Sequence, residues 1–205
     1  MTEEFRIRKL RKEDCQRVAR IRFEVQEMDF LPSLGIRFYV EWLKGTCESK
    51  WSFGLVCINV DNEESIAGFL CASIDLQKYY RDIILRKGLF LAFWSAVRIL
   101  VRPQLLSGLL QYSGDSRKNS LSPVKAELLT LVVAEKYRGK GLGNKLTLAL
   151  IDEYRKRGVK EFLSTVSSDN IISCSIHEKN GFELLGTFDL HGKKNLYKYS
   201  LLSPV

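Results

Sequence analysis

The chain lacks any Cys-x-x-Cys pair, and its five cysteines (Cys15, Cys47, Cys57, Cys71 and Cys174) are odd in number. That argues against a secreted disulfide framework and against a zinc ribbon. Reduced, mostly buried thiols in a cytoplasmic protein are expected, with no metal site. An apolar leader is also missing: MTEEFRIRKLRKED is dense in charge, unlike a signal peptide. No apolar run reaches the roughly 18 to 20 residues that span a bilayer, so no transmembrane segment is expected. The longest stretch, Gly88 to Val97, is interrupted by Arg98, resumes at Ile99 to Val101 and ends at Arg102-Pro103. Helix-turn-helix, zinc-finger and aromatic RNA-binding signatures are absent, so no nucleic acid partner is expected.

What remains is an ordinary composition. Of 205 residues, 45 % are hydrophobic and 27 % charged, which argues against disorder, a fibrous repeat and a multi-span membrane protein. The length predicts one domain, 1–205, able to bury its own core. Thirty-two Lys and Arg against 24 Asp and Glu give a net charge of +8, which suits an anionic partner.

Hydrophobic periodicity predicts alternating strands and helices. Phe5 and Ile7 alternate with polar residues as a first strand, and Asp14 precedes a helix carrying Val18, Ile21 and Val25. Pro32-Ser33 opens a second helix, and Ser52–Val60 and Ser65–Ile74 flank a hairpin turn. Gly68 is expected to mark a bulge. A long helix follows from about 76 to 101, with a break expected at Gly88, and then a loop to Pro123. The apolar part of this helix reads as buried, or as a surface for lipid, an apolar substrate or a second subunit, so a homodimer is an open expectation. Ala126 to Val133 is apolar on both faces, as in a central strand. A helix to Lys156 ends at Gly158, and strand, helix, strand and strand complete the chain.

The segment with chemical meaning is Val133-Ala-Glu-Lys-Tyr-Arg138-Gly139-Lys140-Gly141-Leu142-Gly143. A buried strand runs into a glycine-rich turn that opens an amphipathic helix. Glycines let backbone approach a ligand closely, and the first helical amides have no intrahelical acceptor. Such a turn suits a pyrophosphate. It is no P-loop, because Asn144-Lys145 follows Gly143 where Lys-Ser/Thr is needed. It is no dinucleotide fingerprint either, since the glycines at 139, 141 and 143 have the wrong spacing. Between Lys136 and Lys160 stand eight Lys and Arg against only Asp152 and Glu153, so much of the excess charge clusters in sequence around this turn.

With Arg138, Gly141 and Gly143 matching an Arg-x-x-Gly-x-Gly turn, the sequence resembles the GNAT family of N-acetyltransferases. A second stretch, Asn170-x-x-Ser173-x-x-x-His177-x-x-x-Gly181-Phe182, is similar to the family's Asn-x-x-Ala-x-x-x-Tyr-x-x-x-Gly-Phe signature. The resemblance implies a central, mostly antiparallel twisted sheet of six to seven strands flanked by helices. It also implies a splayed parallel strand pair that binds acetyl-coenzyme A, the acyl-donor cosubstrate. The expected cofactor-binding residues are Leu131, Val132, Val133, Arg138, Gly139, Lys140, Gly141, Leu142, Gly143, Asn170 and Ser173.

Two catalytic roles follow from the same resemblance. An alkylamine is protonated near neutral pH, so a base must take its proton. Glu127 is expected to be that base, because histone-acetylating members carry a glutamate at a similar spacing before the turn. His177 replaces the tyrosine that often protonates the leaving thiolate, and histidine is able to donate a proton there. The implied reaction is N-acetylation of a small amine, an amino sugar or amino acid derivative, by direct attack in a ternary complex. Acetylation of a protein N-terminus or lysine is the alternative, as is an acyl-coenzyme A-binding module without turnover. The extended insertion at about 76–124 is expected to shape the acceptor side.

Overall fold

The computed structural model describes residues 3–25, 30–101, 122–189 and 193–201. Its strands are β1 (Phe5–Lys9), β2 (Ser52–Asn59), β3 (Asn62–Ser73), β4 (Glu127–Val133), β5 (Glu161–Ser167), β6 (Glu183–Asp189) and β7 (Lys193–Ser200). They form one seven-stranded sheet in the order β1-β2-β3-β4-β5-β7-β6. Every neighbouring pair is antiparallel except β4 and β5. The described helices are α1 (Cys15–Glu24), α2 (Phe30–Ser33), α3 (Ile36–Glu48), α4 (Leu76–Val101), α5 (Leu142–Lys156) and α6 (Ile171–Lys179).

The sheet is buried where it is central. All eight positions of β2 are inaccessible, which requires packing on both of its faces. Helix α5 supplies one layer: Phe53 meets the Tyr154 ring edge-on at 5.2 Å, and the Tyr154 hydroxyl donates to Ser73 O at 2.9 Å. Helices α1 and α3 pack on the same central strands. Apolar residues three and four apart put Leu142, Leu146 and Leu150 of α5 into the core.

Two glycines have definite tasks in this frame. Gly158 follows α5 at φ +68°, a left-handed conformation that ends the helix. Gly68 lies next to a bulge, since Cys57 pairs with it while Ile58 pairs with Ile66. Its own task is close approach: a Cβ there would stand 2.8 Å from Val132 O and 3.2 Å from Leu146 Cδ1. Strand β4 can therefore lie tightly on β3 only with glycine at this position.

Helix α4 departs from expectation. It runs unbroken through Gly88, where the space around the position would admit a Cβ. One interior glycine costs a helix only about 1 kcal/mol, which packing against α3 readily offsets. Of the two readings of its apolar half, the surface one holds at Leu89 and Phe93, which point outward, while Leu91 is buried. Among the described residues no helix is long and apolar enough to cross a membrane. Most of the loop expected between 103 and 123 lies outside the described residues.

Gly68→Val should force β4 away from β3 and destabilise the fold by roughly 1 to 3 kcal/mol. The urea midpoint reads this directly, and an unchanged midpoint would show that β3 and β4 have slack at this point.

Candidate active site

The site begins with a shortage of pairing. Strands β4 and β5 are partnered only at Glu127↔Leu163 and Leu128↔Ser164, with Leu163 N–H also donating to Ala126 O. On the other side, β4 stays on β3 as far as Val133↔Gly68. The cause is a bulge. Cys71 faces Thr130 and Ala72 faces Leu128, so Leu129 is an extra residue in β4. A bulge bends its strand and increases the local twist. From here β4 and β5 diverge, and a gap opens between them.

Backbone alternation decides which groups face that gap. Ala134 N–H donates to Ala67 O at 2.9 Å, so Ala134 points toward β3. Counting back by alternation, Val132 also points toward β3, while Leu131 and Val133 present their N–H and C=O to the gap. This separates the three expected strand residues. Leu131 and Val133 offer backbone to a ligand; Val132 commits its carbonyl to β3 beside Gly68 and its side chain to the core.

Beyond β4 the chain makes a short turn, Glu135–Tyr137, and enters α5. Tyr137 anchors this turn: it is buried, and its hydroxyl lies 2.7 Å from that of Ser65. Gly139 and Gly141 have φ of +76° and +73°, and a Cβ on either would meet nothing within 4 Å. Their role is conformational, with open space above them. Gly141 caps α5 without a side chain, and Lys145 N–H to Gly141 O is the first bond of the helix. The N–H groups of Leu142, Gly143 and Asn144 precede that bond and have no intrahelical acceptor, an arrangement suited to an anion. Leu142 itself is core. Gly143 serves helix contact, since a Cβ there would come within 3.2 Å of Ile176 Cδ1 on α6.

The charges sort differently in space from their order in sequence. Arg138 is exposed beside the turn, whereas Lys140 is ion-paired with Glu3 and lies 5.5 Å from the Tyr137 ring. Arg155 and Arg157 sit at the far end of α5, paired with Asp152 and Glu153 at 2.7 and 2.8 Å. That end is some 20 Å from the turn at about 1.5 Å per residue. Half of the expected cationic cluster is therefore remote from the site.

Glu127 stands where the two strands still touch. It is 7 % exposed, and the Thr165 hydroxyl lies 3.5 Å from its Oε1. Thr165 shares a face of β5 with Leu163, which packs with Phe188 and Leu196. The opposite face carries Phe162 and Ser164, covered by α5 and α6. Glu127 therefore addresses the gap from the side away from α6.

Helix α6 holds the second signature. Asn170 caps it, its Oδ1 accepting from Ser173 N–H at 3.0 Å. His177 is 4 % exposed and lies on the α6 side of the sheet, stacked on Tyr197 and edge-on to Phe182. Both ring nitrogens are engaged: Nδ1 is 2.7 Å from Ser173 O and Nε2 is 2.8 Å from Ser164 Oγ. A carbonyl only accepts, so Nδ1 carries the proton and Ser164 donates to Nε2. Burial pushes the His177 pKa below the usual histidine range, against a smaller opposing effect of the Ser173 carbonyl. His177 and Glu127 thus lie on opposite faces and make no contact.

Sequence reading missed Ser164, Thr165 and the link that closes the site. Asn180 Nδ2 donates to Asn144 Oδ1 at 2.7 Å, tying the end of α6 to the start of α5. The asparagine just before Gly181-Phe182 was the available signal. A cleft of about 600 Å³ between α1 and the Glu135–Tyr137 turn, lined by Arg17, Arg20, Glu24, Glu64, Glu135 and Lys136 among others, borders the site but contains none of the expected site residues. Among the described residues no three metal-ligating side chains converge.

The gap, the open glycine turn and the helix amides fit an extended, phosphate-bearing ligand such as acetyl-coenzyme A. Known proteins agree with that geometry. A stretch of 65 residues is 35 % identical to the L-methionine sulfoximine/L-methionine sulfone acetyltransferase of Pseudomonas aeruginosa, covering 32 % of this chain and 38 % of that protein. N-alpha-acetyltransferase 30 of Schizosaccharomyces pombe is 31 % identical over 78 residues, covering 38 % of this chain and 47 % of that protein. The matches thus span less than half the length of these curated relatives. The ribosomal-protein-S18-alanine N-acetyltransferase of Escherichia coli has the same fold, with TM-score 0.62 at 14 % identity over 98 % of this chain and 97 % of that one. So does Arabidopsis thaliana NAA60 in complex with acetyl-CoA, with TM-score 0.62 at 16 % identity over 97 % and 99 %. The acetyltransferase (GNAT) family profile matches residues 21–182, and the chain belongs to that family.

Proposed function

We propose that the protein is an N-acetyltransferase that moves an acetyl group from acetyl-coenzyme A to the primary amine of a small molecule, an amino sugar or amino acid derivative. The observation that carries this reading is the parted β4–β5 pair with a buried carboxylate, Glu127, at its closed end. An acceptor of amino acid type is supported by the relative named for acetylating L-methionine sulfoximine and L-methionine sulfone.

Acetyl-coenzyme A supplies an acyl carbon activated as a thioester. The chain's own groups do the rest. The amides at the start of α5 bind the pyrophosphate, and the backbone of Leu131 and Val133 lines the arm that follows. Glu127 accepts the proton that the amine sheds as its nitrogen bonds to the acyl carbon and the carbon–sulfur bond breaks. The sulfur takes its proton from solvent. His177 is reassigned here from acid to positioning residue, because its only proton is held by the Ser173 carbonyl and its Nε2 accepts from Ser164. It fixes α6 against β5 along one side of the gap.

Coenzyme A release across amines and peptides tests the acceptor. Release with small amines is the expected result. Release with peptide N-termini alone would favour the activity named for N-alpha-acetyltransferase 30, and acetyl-coenzyme A binding without any release would mark a non-catalytic module.

Glu127→Gln should lower kcat by about 10²- to 10⁴-fold, leave the affinity for acetyl-coenzyme A intact and move the pH–rate profile to the alkaline side. An unchanged kcat and profile would remove Glu127 from the reaction.

The lowered pKa of His177 means that the unfolded chain binds its proton first as pH falls. Stability contributed by His177 is complete above its unfolded pKa of about 6.5 and declines below it. Melting temperature should therefore drop on acidification, and His177→Gln should flatten this drop while kcat keeps the same pH dependence. Loss of the acidic limb of kcat in that variant would instead restore a proton-transfer role.

A further inference from the structure

Helix α4 is apolar on two sides: Tyr79, Ile83 and Leu91 are buried, and a second apolar row faces outward. Two of its charged side chains point into the protein. Lys87 Nζ lies 3.1 Å from Glu41 Oε2 on α3, and the Arg98 guanidinium sits over Gly35, where a Cβ would be 2.7 Å from it. Trp94 is also turned toward α3, with the Arg37 guanidinium 5.2 Å from its ring centre. Four large apolar residues point out: Leu85 is 75 % exposed, Leu89 93 %, Phe93 63 % and Leu100 83 %. Spacings of three and four place Leu85, Leu89, Ala92 and Ala96 in one row, with Phe93 and Leu100 beside it. A contiguous patch of this kind on a soluble domain marks an interaction surface.

Charge selects among the occupants. With Lys87 and Arg98 turned inward, α4 exposes Lys78, Arg81 and Arg86 against a single acid, Asp82, which is bonded to Arg86 at 2.9 Å. Helical periodicity sets Arg81 and Arg86 on the two flanks of the apolar row. A second copy of this chain would bring two identical sets of cations together with no acid to match them. An anionic lipid surface matches both features, taking apolar side chains at acyl depth and cations at headgroup level. The helix lies along the protein and is not apolar enough to cross a bilayer.

We propose that α4 docks this protein onto an anionic bilayer, lying in the interface with Leu85, Leu89, Phe93 and Leu100 toward the acyl chains and Arg81 and Arg86 among the phosphates.

Co-sedimentation of the full chain tests this, with vesicles of phosphatidylcholine alone and of equal parts phosphatidylcholine and phosphatidylglycerol. Binding is expected with the mixed vesicles, reduced at high salt. The pair Leu89→Gln/Phe93→Gln should weaken partition by roughly tenfold or more while acetyl-coenzyme A binding is retained. Arg81→Gln/Arg86→Gln supplies an independent arm, with weaker binding and a shallower salt dependence expected. The proposal is overturned if neither vesicle carries the protein down, or if both paired variants bind like the wild type. A concentration-dependent dimer, seen by sedimentation velocity, lost in Leu89→Gln/Phe93→Gln and accompanied by no vesicle binding, would also overturn it and assign the face to a second copy.

Discussion

One surplus residue, Leu129, sets the geometry on which the site depends. Without the bulge, β4 would continue its parallel pairing with β5 and its backbone would be saturated on both sides. With it, β4 leaves β5 after two residue pairs and stays paired with β3, shifted by one residue, as far as Val133. The cost is a set of main-chain groups without a sheet partner, which is tolerable only where water or a ligand serves them. Other features then fall into place around the bend. Gly68 lets the diverted strand stay close to β3, and Tyr137 and Leu142 pin the turn beyond it.

The other side of the gap is held by a different kind of interaction. His177 sits among Tyr197, Phe182 and the Ser164 hydroxyl, with Tyr154 stacked on Phe162 at 4.3 Å nearby. A neutral imidazole satisfied at both nitrogens suits this place, since a buried unpaired donor would be costly. The arrangement joins β5, α6 and β7 into one body. The Asn144–Asn180 bond then connects that body to the first turn of α5.

Much of this was legible from the chain alone, for local reasons. The glycine turn could be read because positive φ is a demand of the residue itself. The first strand follows from alternation, the central ones from apolar runs bounded by turn residues, and the parting of β4 and β5 from family resemblance. What was not legible depends on partners distant in sequence. Nothing near His177 announces Ser164, thirteen residues earlier on another element. The basic stretch from Lys136 to Lys160 reads as one cluster until a helix separates its two halves. The direction of α4 is the sharpest case: its apolar part reads as buried or as surface, and the choice rests on Glu41 and Glu48 of α3, which draw Lys87 inward.

The two-pair contact between β4 and β5 also has a mechanical meaning. A sheet of seven strands joined at its middle by so short a seam is two plates sharing a narrow hinge. Any ligand lying in the gap and bonding to both margins supplies the missing rungs of the ladder. A cosubstrate held there would act as a splint as well as a reagent, adding backbone bonds across a seam that α5 otherwise bridges through Tyr154, between Phe53 of β2 and Phe162 of β5.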